Sequence, residues 1–239
     1  MVQTADPKKF FAALKKIADP DAVPNVTRYF WADPNGHSTD NKILGVSIGR
    51  IFPIAKQFAD MSLESIEQLL DSPYYEARMG AVSIMDFQAR NKKTTPEHRK
   101  ALFELYMRRH DRINNWDLVD RAAPYVVGGY LADKSRKDLY RLARSRNPWE
   151  RRTAIVSTYY FIRSGDLDDT FGIAALLVKD KHELVQKAVG SWIREAGKKD
   201  QKQLVLFLET HGGAMSRTML RYAVEKLPAV QKKKFLGKE

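Results

Sequence analysis

The chain has 239 residues, 44% of them hydrophobic and 29% charged, which places it among folded globular proteins and excludes a disordered or collagen-like polymer. It contains no cysteine, so disulfides, thiol nucleophiles, iron–sulfur clusters and cysteine-based zinc sites are excluded. Its 41 lysines and arginines against 29 acids give a net charge of +12, which suits either a polyanionic partner or a basic surface kept for solubility.

The first residues, Met1–Lys9, lead into a brief apolar patch at Phe10–Leu14, too short for a signal-peptide core. No apolar run of about 18 residues occurs, so no membrane span is expected. A cytoplasmic, nucleoid-associated protein is the reading these features favour. Helix starts recur along the chain, each a capping residue before proline at the first helical position: Asp6-Pro7, Ser72-Pro73, Thr95-Pro96 and Asn147-Pro148. The last also carries Glu150 at the third helical position, as capping boxes do. The longest irregular piece is Asp33–Lys42, and Ile51-Phe52-Pro53-Ile54 is ambiguous between strand and helix. Apolar residues follow a helical period at Ile66, Leu69 and Leu70; Leu102, Leu105 and Tyr106; Leu139, Leu142 and Ala143; and Leu204, Phe207 and Leu208. The spacing predicts an all-α chain of about a dozen helices, each of roughly 10 to 18 residues, joined by short links.

Residues 1–107 are nearly neutral, with 14 basic and 13 acidic side chains, whereas the rest of the chain carries 27 and 16. At the start of that basic part, Asn114-Asn115-Trp116-Asp117-Leu118-Val119-Asp120 sets Trp116 and Asp120 four residues apart, on one face of any helix holding both. An aromatic face beside a carboxylate suits a developing cation. The same pair also fits a core tryptophan with Asp120 as ion partner of Arg121 or Arg152. Asp117 lies off that face and reads as a carboxylate near the positive end of the helix dipole.

Four helices carry a small-then-branched pair, Ala81-Val82, Ala154-Ile155, Ala188-Val189 and Ala223-Val224, separated by 73, 34 and 35 residues. A unit of about 35 to 40 residues worth two helices describes an α-solenoid of HEAT-like or armadillo repeats, here one domain over 1–239. Basic residues stand near each pair: Arg78, then Arg151 and Arg152, then Lys187, then Arg217 and Arg221. Aligned as a stripe on the concave face they would make a basic groove for duplex DNA; otherwise they cover helix surfaces with their aliphatic stems.

No phosphate-cradling glycine loop, dinucleotide fingerprint, His-Glu-x-x-His or Gly-x-Ser-x-Gly is present. The histidines, His37, His98, His110, His182 and His211, stand apart in sequence, and no metal or cofactor is expected.

Asn115 to Asp120 with Ala123-Pro124-Tyr125, Trp149 to Thr158, Lys187-Ala188-Val189-Gly190, Asp40-Asn41-Lys42 with Leu44-Gly45-Val46, and Arg217 to Ala223 stand in one order. Together they resemble the AlkD-type DNA alkylation repair glycosylases over about residues 10 to 230. The resemblance implies HEAT-like repeats holding duplex DNA in a concave groove. It also implies hydrolysis of the N-glycosidic bond of cationic alkylpurines, such as N3-methyladenine and N7-methylguanine, with the lesion left stacked and without a metal or cofactor. By resemblance Asp120 is the catalytic carboxylate, Trp116 packs against the lesion's sugar, and Arg152 holds backbone phosphate. Arg151, Lys187, Arg217 and Arg221 are expected DNA contacts. Many relatives have a second tryptophan directly after the glycine matching Gly190, where this chain has Ser191 and then Trp192. One position turns a side chain by about 100°, so Trp192 points either into the helix core or, with local adjustment, toward DNA. The expected partner is alkylated double-stranded DNA, bound by a monomer, with no membrane. A non-catalytic binder of distorted or branched DNA is the alternative.

Overall fold

The computed structural model describes residues 6–27 and 41–237. Met1–Ala5, His37, Asp40 and all of Asp33–Lys42 except Asn41 and Lys42 lie outside the described residues. The contacts gather into two compact units, Met1–Tyr130 and Leu131–Glu239.

In the first unit Asp6 caps α1 (Pro7–Lys16) by accepting the Lys8 N–H at 2.8 Å, with Pro7 at the first helical position. A short 3-10 turn leads into α2 (Val23–Thr27), and α3 (Ile48–Gln57) follows with Pro53 inside it. The ambiguous Ile51–Ile54 stretch is therefore helical. Ser62 caps α4 (Leu63–Leu70), whose Ile66, Leu69 and Leu70 are the buried stripe that the spacing predicted. The next helix, α5 (Tyr75–Arg90), is central: α1, α3, α4 and α6 (Pro96–Arg108) pack around it, so nearly every residue of it is buried. Gly80 is required there, because a Cβ would lie 2.2 Å from the Phe10 ring.

The start expected at Ser72-Pro73 falls two residues early. Lys42 bridges to this segment, giving its N–H to the Pro73 carbonyl and accepting the Tyr75 N–H, both at 2.9 Å. That pairing holds Tyr74 extended and delays the helix, while Ser72 Oγ accepts the Tyr74 N–H in a turn. Thr95 caps α6 as expected, accepting the His98 N–H at 3.2 Å. The unit closes with α7 (Trp116–Ala122), a π turn over Ala123–Gly128, and α8 (Gly129–Leu131).

The second unit holds α9 (Lys137–Leu142), α10 (Pro148–Ser157), α11 (Tyr159–Ser164), α12 (Asp168–Leu177), α13 (Glu183–Gly197), α14 (Gln201–His211), α15 (Arg217–Ala223) and α16 (Ala229–Leu236). Asn147 caps α10 by accepting the Trp149 N–H at 2.9 Å, but its own N–H goes to Ser145 Oγ and not to Glu150, so the capping box is replaced by a serine turn. α10 packs on α13 and α13 on α15, with α9, α12 and α14 laid against them. All eight residues of the four small-then-branched pairs are buried. Gly190 lets α13 and α15 close together, since a Cβ would stand 2.5 Å from the Met219 carbonyl oxygen.

The fold is all-α, and among the described residues no strand occurs. Among the described residues only eight of sixteen α-helices reach ten residues, fewer long helices than the spacing predicted, with longer runs broken near Pro124 and Thr158. No described helix is long and apolar enough to cross a membrane.

Candidate active site

Asn115 precedes α7 in extended conformation, and Trp116 and Asp120 follow one turn apart. Both are partly exposed, whereas Asp117, Leu118, Val119 and Ala122 are buried. The helix therefore turns its 117–118 side into the core and keeps the 116–120 side accessible. Pro124 has no N–H to give the Asp120 carbonyl four residues earlier, and its ring crowds that oxygen. The backbone widens there into the Ala123–Gly128 π turn, a device found frequently at functional sites.

A polar layer lies under this turn. Asp117 Oδ1 accepts the Leu118 N–H at 2.8 Å and the Asn115 side-chain amide at 2.9 Å, and its Oδ2 accepts the Tyr75 hydroxyl in a very short hydrogen bond. Burial, helped by the nearby Asp120 charge, pushes the Asp117 carboxyl up to about 6 although these donors pull it down. Tyr75 is held well above its ordinary value, first by burial and then by Asp117. Arg78, expected in a basic stripe, is instead 2% exposed. It donates to the Ser72 carbonyl, Asn41 Oδ1 and Asn114 Oδ1, and burial lowers it to about 10. On the next rung Arg121 pairs with buried Asp86 at 3.0 Å, donates to Ser83 Oγ at 3.2 Å and lies over the Phe52 and Phe87 rings. α7 is thus tied to α5 at both ends of its inward face.

The expected contacts in the second unit divide. Arg152 is buried at 7% exposure, and its guanidinium donates to the Leu184 carbonyl at the start of α13. Arg151 forks onto Asp180 and donates to the Ser145 and Arg146 carbonyls at 3.0 and 2.9 Å. Both therefore hold α10 to its neighbours. Lys187 pairs with Glu183 at 2.6 Å. With exposed Arg221, Thr218, Tyr222 and Glu225 these residues line a cavity of about 440 Å³ between α13 and α15. Arg217 is exposed and donates to the Leu236 carbonyl. Trp192 is partly exposed, its ring tilted 40° against Tyr159 with centroids 5.0 Å apart. The core placement open to it from its spacing is not the one it takes.

Sequence reading missed Tyr75 and the inward role of Asp117. Asp117 accepts a first-turn N–H, as a helix-start carboxylate should, but it does so from inside the core. Nothing local marks Tyr75, which meets Asp117 across 42 positions.

With this geometry in place, the chain matches the model of the family described as DNA alkylation repair enzyme over residues 11–227. Among solved structures, a predicted DNA alkylation repair enzyme from Enterococcus faecalis superposes with a TM-score of 0.67 at 15% identity, covering 89% of this chain and 97% of that one. At that identity the likeness is one of fold. No curated protein matches.

Proposed function

The chain belongs to the DNA alkylation repair enzyme family, and from that premise we propose that it is a DNA glycosylase that hydrolyses the N-glycosidic bond of cationic alkylpurines in duplex DNA. N3-methyladenine and N7-methylguanine are the substrate class. The observation that carries the reading is the accessible rung of α7: Trp116 and Asp120 stay partly exposed while the residues between them are buried.

An alkylated purine already carries positive charge, so it departs as a neutral base when the bond electrons move onto it. No general acid or metal is needed for that step. Charge then develops on the deoxyribose, and a water oxygen must reach the anomeric carbon as the base leaves. Asp120 stabilises the oxocarbenium-like sugar and orients the water, which bonds to the anomeric carbon and passes its proton to the Asp120 carboxylate and from there to solvent; the Trp116 ring packs against the sugar and offers its negative face to the cation. Because contact is with sugar and backbone, the lesion stays stacked in the duplex. Exposed Arg221 and Arg217, with Lys187 and Trp192, supply further contacts to DNA, while Arg151 and Arg152 act by holding α10. The protein works as a monomer on cytoplasmic, nucleoid DNA.

Asp120→Asn keeps the shape and removes the charge. Release of N7-methylguanine from methylated duplex should fall by on the order of 100-fold, about 3 kcal/mol at the transition state. Equal release by both proteins rejects the assignment. A second reading, duplex binding without excision, draws on Trp192, which follows Ser191 and lies against Tyr159. Salt-dependent binding with no base released from any alkylated duplex is its signature.

A further inference from the structure

The assigned chemistry uses Asp120 and leaves Asp117 idle, yet Asp117 is the more unusual group. It is a carboxylate 6% exposed, three residues before Asp120, with three donors converging on its two oxygens. Those donors come from three places: the Tyr75 hydroxyl on α5, the Asn115 side chain before α7, and the Leu118 N–H inside α7. Arg78, four residues before Val82 in α5, reaches Asn114 at 3.4 Å on the same side. The arrangement therefore joins the first turn of α7, the turn that presents Trp116 and Asp120, to the first turn of the central helix.

From this convergence we infer that Asp117, held by Tyr75, is a positioning residue that sets the orientation of the Trp116 and Asp120 turn for reaction. The inference rests on the excision reading above. Only the ionised carboxylate accepts all three donors together. A protonated one must turn its O–H toward Tyr75, reversing that hydrogen bond and loosening the tie. The titratable and charged groups around Asp117 are Tyr75, Arg78 and, behind them, Glu76 on α5, Arg112 in the turn before α7, and Asp120 on its own helix. Arg112 is occupied by the Leu70, Asp71 and Ser72 carbonyls, and Glu76 by the Leu44, Gly45 and Val46 N–H groups. Burial raises the Glu76 carboxyl as well as that of Asp117, so the Asp117→Asn variant is what assigns a pH response to Asp117.

The experiment compares the whole protein with Asp117→Asn and Tyr75→Phe in single-turnover release of N7-methylguanine from methylated duplex, alongside melting temperature and duplex affinity. Both variants should release base more slowly, Asp117→Asn by on the order of 10- to 100-fold, the loss expected from a small misplacement of reacting groups. Duplex affinity should stay unchanged, and the Asp117→Asn melting temperature at pH 7.5 should equal or exceed that of the wild type. The wild-type rate should drop as pH falls through about 6, and that limb should vanish in Asp117→Asn. Wild-type rates in both variants, or a rate that falls only as the folded fraction falls, overturn the inference. Wild type that releases no base defeats the excision reading instead. The tie is then judged by Trp116 emission, taken as wild type minus Trp116→Phe. A shift through pH 6 that Asp117→Asn abolishes upholds it, and flat emission overturns it.

Discussion

At the scale of single residues, Asp117 stands in tension between stability and reaction geometry. Its folded-state carboxyl lies at about 6 against an ordinary 3.8, with burial as the first cause. Folding therefore favours the protonated form. The stability this group contributes is full below its unfolded value and is lost as pH rises through about 6. Asparagine resembles the protonated carboxyl and does not titrate. Between pH 4 and pH 7 the stability of Asp117→Asn relative to wild type should swing by about 2 kcal/mol in the variant's favour. Urea melts of the two proteins at both pH values check this, and a constant difference would mean that the carboxylate keeps its ordinary affinity for protons. Arg78, Arg151 and Arg152 show why such residues are hard to read from sequence. Arginine is almost never fully buried unless paired, so a charge beside a helical pair reads as surface. The distant partners that hold them, Asn41 for Arg78, Asp180 for Arg151 and the Leu184 carbonyl for Arg152, lie 29 to 37 positions away, beyond any local pattern.

Elements were legible where a local rule governed them. Asp6, Thr95 and Asn147 each accept a first-turn N–H, because a cap needs only its own following residues. Ser72-Pro73 has the same local grammar and fails, since the Lys42 bridge competes for the backbone at Pro73 and Tyr75. The small-then-branched pairs were legible for a steric reason: two helices approach closely only where side chains are short. Gly190 takes this furthest. A Cβ there would meet the Met219 carbonyl oxygen at 2.5 Å and Tyr222 Cβ at 2.6 Å, and the first contact is backbone that cannot swing aside. Gly190→Ala should therefore force α13 and α15 apart and cost about 1 to 3 kcal/mol, seen as a lower urea midpoint. Gly213→Ala, where a Cβ meets nothing within 4 Å, should stay within about 0.5 kcal/mol of wild type. Equal midpoints for the two variants would contradict the close approach of the helices.

For the molecule as a whole, charge is the property that sequence reports most directly, because it needs no knowledge of contacts. The structural boundary sharpens the count: Met1–Tyr130 carries 18 basic and 16 acidic residues, and Leu131–Glu239 carries 23 and 13. What sequence does not report is which cations are already engaged. Arg151 is forked onto Asp180, and Arg136 is held by Asp166 and Asp169, so neither has counterions to displace from DNA. Among the described residues, exposed Arg217 and Arg221 carry no such carboxylate pairing and are better placed to do so, whereas Lys187, on the wall of the same cavity as Arg221, is paired with Glu183. Each phosphate neutralised adds about 0.9 to the slope of log affinity against log salt. The combined variant Arg217→Ala, Arg221→Ala should lower that slope by about 2 in anisotropy titrations of a labelled duplex. Arg151→Ala should leave the slope near its wild-type value and lower the melting temperature instead, because its guanidinium serves Asp180 and the Ser145 and Arg146 carbonyls. A slope that responds to Arg151 and ignores Arg217 and Arg221 would place the phosphate contacts on the opposite side chains.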